Sequence, residues 1–505
     1  MTRLPDHVVT AWRGEACDYP QLAPYAPARA FPEYEFSDLA TEPNAAYEAV
    51  RGCFQIAGLD AAKFDTPAWN PLADLIRPGE MVLLKPNMVH HRHPRDPQGW
   101  RYTITHGGII RAVADYVWKA IGPKGKVILA DAPQTDASFS EMVRLLGLDR
   151  IRDFYRAHGL HFELIDLRQE EWTTRGDVVV ERRKLPPNPY GALAFDLGSG
   201  SEFVDHSGSG NYYGADYDAR VVNHHHSGGR HEYLIAGCAI QCDVVLSLPK
   251  WKTHKKAGST ASLKNLVGVN ADKNWLPHHT EGAPVNGGDE HPNPDLKHRT
   301  ERKVAAAVRG LSHRVPVVGP WVHRVARSVG KPVFGDTDST IRSGNWYGND
   351  TVWRMCLDLN KIVSYGDVHG SLREARPENR KRHYVLVDGI LAGQGRGPLN
   401  PDPLPAGTVL FGVHPPSVDA ACAYLMGFDP DKVPIVAHAF QCKAFPLSEH
   451  GWRDVVVRSN YDPWSHRLTG VPSKETLHFE PHFGWKGHIE QGAALAEANA
   501  VEARS

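Results

Sequence analysis

Short apolar runs alternate with helix-period stretches along most of this chain, and that alternation restricts the fold it can adopt. Residues 81–84 (Met-Val-Leu-Leu), 126–130 and 243–248 are runs of the kind carried by strands buried on both faces. Residues 161–166, 384–387 and 408–413 read the same way. Between the first two strands, Ile109, Ile110, Val113, Tyr116, Val117 and Ile121 recur at helical spacing, and residues 141–148 predict a second helix. Strand, helix, strand, helix, strand implies right-handed βαβ units. The expected fold class is α/β, a mostly parallel sheet with helices on both faces, long loops and a helical insertion.

Organisation follows from the same pass. Residues 1–78, rich in Pro and aromatics with a helix expected over 42–57, read as a wrapping segment, and 79–294 as the first part of the α/β core. Residues 295–344 read as a basic helical insertion. Between 295 and 331 it carries Lys297, Arg299, Arg302, Lys303, Arg309, Arg314, Arg324, Arg327 and Lys331 against Asp295 and Glu301. Trp321 or Val322, Val325 and Val329 form an apolar stripe there, a pattern suited to an anionic membrane surface, an acidic protein or the core itself. Residues 345–445 are the second part of the core, with a helix expected to start at an acidic cap, Asp419. Residues 446–505 form a C-terminal extension ending in a helix over 489–503.

Composition narrows the function classes. The 57 Lys and Arg balance 58 Asp and Glu for a net charge of −1, which argues against a nucleic-acid-binding domain. No stretch approaches the length of a membrane span, and the first residues lack the apolar core of a signal peptide. Seven scattered Cys make no disulfide framework. The expectation is a cytoplasmic protein of enzyme size. Its 28 His, many of them clustered, raise acid–base and metal chemistry together.

In a parallel sheet, ligands bind at the carboxyl ends of strands. Here those ends carry Lys85-Pro86-Asn87, then Asp131-Ala132-Pro133, then Pro249-Lys250-Trp251-Lys252-Thr253-His254, then Asp388-Gly389-Ile390 with Arg396 beyond. The segment from Lys250 to Lys273 is the strongest of these. Lys250, Lys252, Lys264-Asn265 and Lys273, interleaved with Gly258-Ser259-Thr260 and Gly268, suit a phosphate or carboxylate held by point charges and backbone N–H groups. Lysines buried together depress one another's pKa, which makes a base or nucleophile of one of them. The alternative is a solvated basic loop. His224, His225 and His226 precede this segment, and His278, His279 and Glu281 follow it. Imidazoles with carboxylates suit a divalent metal of unspecified identity, or hydrogen-bonded loop residues; the spacing matches no named metal motif. Cys238 and Cys242 stand alone as a CxxxC and read as small buried hydrophobes. The glycines of 393–397 lack both the GxGxxG helix entry and the Walker Lys-Ser/Thr, and no Gly-x-Ser-x-Gly elbow is present.

Laid side by side, these motifs resemble a family, the domain of unknown function 362. The resemblance rests on Leu84-Lys85-Pro86-Asn87, Leu248-Pro249-Lys250-Trp251-Lys252-Thr253-His254 and Ser262-Leu263-Lys264-Asn265-Leu266-Val267-Gly268. Asp388-Gly389-Ile390, Gly395-Arg396-Gly397-Pro398 and Gly427-Phe428-Asp429-Pro430 extend it. It spans about residues 79–437 and looks like a longer subgroup with His278-His279 and Asn345-Trp346-Tyr347. Some relatives carry a ferredoxin-type module; this sequence has no iron–sulfur CxxCxxC run, so that association is not carried over. A further likeness, to the layout of the lactate-racemase superfamily, is one of fold alone.

The expectation for function is a metal-dependent enzyme acting on a small anionic substrate that bears carboxylate or phosphate. In it Lys252, His254, Lys264 and Asp131 serve catalysis, and Lys85, Asn87, Lys250, Asn265, Lys273 and Arg396 hold substrate. His224, His225, His226, His278, His279 and Glu281 would hold the metal. A carrier of an anionic ligand or cofactor, or a redox protein of the iron–sulfur-associated branch, stands beside it. No nucleic-acid partner is expected.

Overall fold

Alternate residues of each central strand face opposite helical layers, so the sheet is apolar on both sides. The computed structural model describes residues 4–175, 178–214, 218–293 and 340–492. Among these, ten strands form the main sheet. They are β1 (Val8–Arg13), β2 (Met81–Pro86), β3 (Lys126–Asp131), β4 (His161–Asp166), β5 (Val244–Leu248), β6 (Lys250–His254), β7 (Gly258–Thr260), β8 (Arg382–Gln394), β9 (Asp402–Gly412) and β10 (Val456–Ser459). The order is β10-β1-β9-β8-β5-β2-β3-β4, with β6 paired to β8 and β7. From β8 to β4 neighbouring strands are parallel, and β9 is antiparallel to β8 and β1.

On one face lie α1 (Ala45–Ile56), α2 (Gly107–Ile121), α3 (Phe139–Leu145) and α4 (Leu148–Ala157). They pack on Val82, Leu84, Val127, Leu129, Leu246 and Leu386. The opposite face takes α5 (Ser262–Asn265), α6 (Val352–Tyr365), α7 (Pro415–Leu425) and α8 (Pro434–Ala439). There Leu83, Ile128, Val245, Val387 and Leu410 form the contact. The period of two along each strand thus feeds two cores. The α/β expectation holds, with all six predicted strands present. Cys238 and Cys242 are buried in the second core as small apolar groups.

Several expectations need correction. Residues 1–78 do more than wrap: β1 is an inner strand, pairing Val9 with Gly412 and Val8 with Val456. Its partners lie some four hundred residues away, so nothing local announces it. The helix expected over 141–148 is two helices. Ser138 caps the first by accepting from the Glu141 N–H, and Gly147 separates them at φ +61°, where a Cβ would also meet Ala23 Cβ at 2.5 Å. Asp419 caps no helix of its own. α7 begins earlier, with His414 as its cap, and Asp419 lies buried inside it. Finally, β8 does not end at Asp388 but runs to Gln394, carried on by pairing with β6 and β9. The basic stretch 295–331, and with it the membrane or acidic-protein surface expected there, lies outside the described residues, as do residues 493–503 of the expected last helix. Among the described residues, no helix is long and apolar enough to cross a membrane.

Candidate functional site

The ends of β2 and β3 meet α5 and the turn that follows it, and lysine ammonium groups gather there. Lys85 Nζ, from the end of β2, lies 2.8 Å from Asp131 Oδ1 at the end of β3, both side chains buried. Asp131 Oδ2 accepts the Met88 N–H at 2.7 Å, and the charge of its carboxylate raises the Lys85 pKa against the effect of burial. Lys85 Nζ also donates to Pro86 O at 2.8 Å and to Asn265 Oδ1 at 3.4 Å. Asn265 returns its Nδ2 to Lys85 O at 2.8 Å, which ties α5 to β2. Gly268 completes this corner: a Cβ on it would lie 1.9 Å from Asp131 Oδ1 and 2.6 Å from Lys85 Nζ.

Lys252, from β6, is wholly buried and fully coordinated. It donates to Asn87 Oδ1 at 3.1 Å, to Pro398 O at 3.1 Å and closely to Thr103 O. Burial holds its pKa well below the usual lysine value, with Lys250 and Lys264 adding to the effect and Asp131 opposing it. Thr260 faces it across β6 and β7, and the Thr260 Oγ1 is buried without a hydrogen-bond partner among the described residues, as is Ser262 Oγ two residues on.

Lys264 differs from its neighbours. It is 9% exposed, and its ammonium makes no hydrogen bond or ion pair among the described residues. Burial lowers its pKa. Its charge in turn depresses Lys85, Lys252, Lys273, His254 and His278, which places it at the centre of the group. Its position is set by Asp419, whose two carboxylate oxygens accept the N–H groups of Ser262 at 2.7 Å and Leu263 at 3.0 Å, as an N-cap would. Burial pushes the Asp419 carboxyl up to about 7.

The two histidines beside Lys264 are held in opposite tautomers. His254 Nδ1 accepts the N–H groups of Lys256 at 3.0 Å and Ala257 at 3.1 Å, so the proton sits on Nε2 and the ring presents a donor. His278 Nδ1 lies 2.9 Å from Leu276 O, so the proton sits on Nδ1 and Nε2 presents a lone pair. Burial, then the charge of Lys264, keeps both rings neutral. His254 therefore suits hydrogen-bond donation and His278 proton acceptance.

Lys273 closes the group on the side of a cavity of about 320 Å³. Thr135, Arg168, Gln169, Trp172, Lys184 and Asn274 share the cavity wall with it. Lys273 is 8% exposed and donates to Val267 O at 2.9 Å. Burial lowers its pKa to about 7, Asp131 opposing and Lys85, Lys264 and Arg168 reinforcing the shift. Arg168 itself is spent on structure, bound to Asp166, Glu171 and the carbonyls of Gln134, Thr135 and Ala137.

The other sequence-predicted residues lie apart from Lys264. Lys250 is sealed in a separate cluster, 3.0 Å from Asp388 Oδ2 and 2.6 Å from the Tyr19 hydroxyl, which donates to Asp388 Oδ1. Arg396 is 3.4 Å from Asp402, which also pairs with Arg95, and a Cβ on the adjoining Gly397 would strike Thr253 O at 1.9 Å. That glycine loop is a packing device against β6. His225 pairs with Glu232 at 2.9 Å and stacks on Trp275, while His226 Nε2 lies 2.8 Å from Trp275 O. His224 touches the His225 ring edge-on. His279 stacks on Tyr213 with Nδ1 3.3 Å from Lys256 Nζ, and Glu281 accepts from the Tyr213 hydroxyl at 3.4 Å. Among the described residues no group of three His, Cys, Asp or Glu side chains converges as a metal centre.

Sequence reasoning missed the Asp419 anchor, the role of Gly268 and the cavity on Trp172 and Gln169. A glycine three residues after Asn265 and an Asp inside an apolar helix were visible signals for the first two. The cavity had no such signal, since its wall comes from four separate stretches of chain.

No curated protein matches the sequence. A crystal structure of a Thermotoga maritima protein is 11% identical, covering 70% of this chain and 53% of that one with a TM-score of 0.27. This chain thus spans about half the length of that protein. The model of the domain of unknown function 362 (DUF362) matches residues 202–424, a stretch that includes Lys252, His254, Lys264, Lys273 and His278. Residues 202–424 place this chain among the proteins that carry the domain of unknown function 362.

Proposed function

We propose that the chain is an enzyme acting on a small anionic substrate, bound with its carboxylate or phosphate against Lys264 and reached through the cavity beside Lys273. The observation that carries this reading is Lys264, 9% exposed and with no hydrogen bond or ion pair on its ammonium among the described residues, beside Lys85, Lys252 and Lys273, with Asp131 as the carboxylate that reaches those three. An unpaired buried cation costs several kcal/mol, and a chain retains that cost where an anion repays it. Lys85 and Lys252, each held by fixed acceptors, supply a preorganised positive field. His254 Nε2–H donates to the anion, and His278 Nε2 takes a proton during turnover. That proton acceptor favours an enzyme over a carrier, which needs none. His278 Nε2 is also the nitrogen open to a divalent metal, because donation from Nδ1 to a backbone carbonyl is the usual support of such a ligand.

Titration calorimetry with oxalate and with inorganic phosphate tests the reading. One saturable site is expected for the native chain. A charge-assisted bond contributes about 1.5–3 kcal/mol, so Lys264→Ala should weaken binding about ten- to a hundredfold. Absence of any anion binding, or equal affinity in the variant, overturns it.

A further inference from the structure

Of the buried lysines, Lys273 combines two properties that the others lack together. It lines the cavity of about 320 Å³, a volume at the lower end of small-molecule sites. Among the described residues it is also held by a single hydrogen-bond acceptor, Val267 O at 2.9 Å. Lys85 is tied to Asp131, Pro86 O and Asn265, Lys252 to three oxygens, and Lys250 to Asp388 and Tyr19. Lys264 is not on the cavity wall. An amine that gives one N–H to a carbonyl keeps its lone pair for another partner once it is neutral.

We infer that Lys273 is a nucleophilic amine that forms an imine with a small 2-oxo acid, whose carboxylate is drawn to the neighbouring Lys264 and Lys85. This rests on the anion reading of the same site and names the substrate class within it. The groups that set the state of the amine are Asp131, Lys85, Lys264 and Arg168, with Glu170, Lys184 and Asp272 also on the cavity wall. Burial lowers the amine to about 7, so a large neutral fraction exists near neutral pH.

In the step, the neutral Nζ attacks the carbonyl carbon. A C–N bond forms while the C=O electron pair moves to oxygen, which takes a proton. Loss of that oxygen as water then leaves a protonated imine. In sum, an ammonium and a carbonyl give an iminium and one water, without change of oxidation state.

The test treats the full native chain with pyruvate and sodium cyanoborohydride and maps adducts by peptide mass. Selective labelling of Lys273 is expected, with a rate that rises with pH to a midpoint near 7 and is lost in Lys273→Arg. Labelling confined to exposed lysines such as Lys63, 55% exposed, or no labelling, overturns the inference. Oxalate, which carries no reactive carbonyl, separates the two claims. If oxalate binds and Lys273 stays unlabelled, the imine fails and the anion site stands; if oxalate also fails to bind, both fall.

Discussion

Replacing Lys264 by methionine removes one ammonium while keeping an unbranched side chain of similar length. In the native chain Lys264 is 9% exposed, its ammonium makes no hydrogen bond or ion pair among the described residues, and its charge repels Lys85, Lys252 and Lys273. Exchanging buried ionic groups for apolar ones of like volume stabilises proteins by about 1–4 kcal/mol. Unfolding entropy of about 2.1 cal/mol/K per residue over 505 residues comes to about 1 kcal/mol/K. The free chain should therefore gain about 1–4 °C in Tm. Oxalate at about one hundred times its Kd stabilises the native chain by ~2.7 kcal/mol, a shift of about 3 °C on the same scale. The variant should show little of that shift. Differential scanning calorimetry with and without oxalate reads both quantities. A variant that melts below the native chain, or one that keeps the full oxalate shift, refutes the claim that Lys264 is an unpaired charge awaiting an anion.

Gly268→Ala places a Cβ 1.9 Å from Asp131 Oδ1 and 2.6 Å from Lys85 Nζ; overpacking should cost about 1–3 kcal/mol, and titration calorimetry should show oxalate binding at least about tenfold weaker. Asp419→Asn retains one acceptor oxygen for two backbone N–H groups, so an unsatisfied buried donor should cost about 1–3 kcal/mol in urea unfolding and loosen Lys264. For Lys273 the folded pKa, about 7, lies below the ordinary lysine value of 10.5, so the folded state binds fewer protons than the unfolded one between these limits. Native stability should then rise with pH from about 7 toward 10.5 relative to Lys273→Met, and the advantage of the variant should be greatest below pH 7. Urea midpoints measured from pH 6 to 9 check the sign; a gap that is constant, or that widens as pH rises, contradicts it.

Hydrophobic periodicity is a local property, and it carried the parallel half of the sheet. Residues 81–84, 126–130 and 244–248 alternate between two cores as their runs implied, because a strand covered on both faces is apolar along most of its length. The placement of Lys85 and Asp131 at adjacent strand ends follows from the same pattern, since parallel neighbours in register bring their carboxyl ends together. What the sequence leaves open is which lysine is satisfied. Lys250, Lys252 and Lys264 stand within one motif, yet Lys250 is paired with Asp388, Lys252 is bound by three oxygens, and the Lys264 ammonium has no partner among the described residues. Those partners arrive from β8, from the turn at Thr103 and from Pro398, each more than a hundred residues away in the chain. The inner strand β1 and the cap on α5 given by Asp419 depend on contacts of the same range. The charge state of a buried amine is decided by such distant acceptors and by the water that packing excludes, and neither is written in the residues beside it.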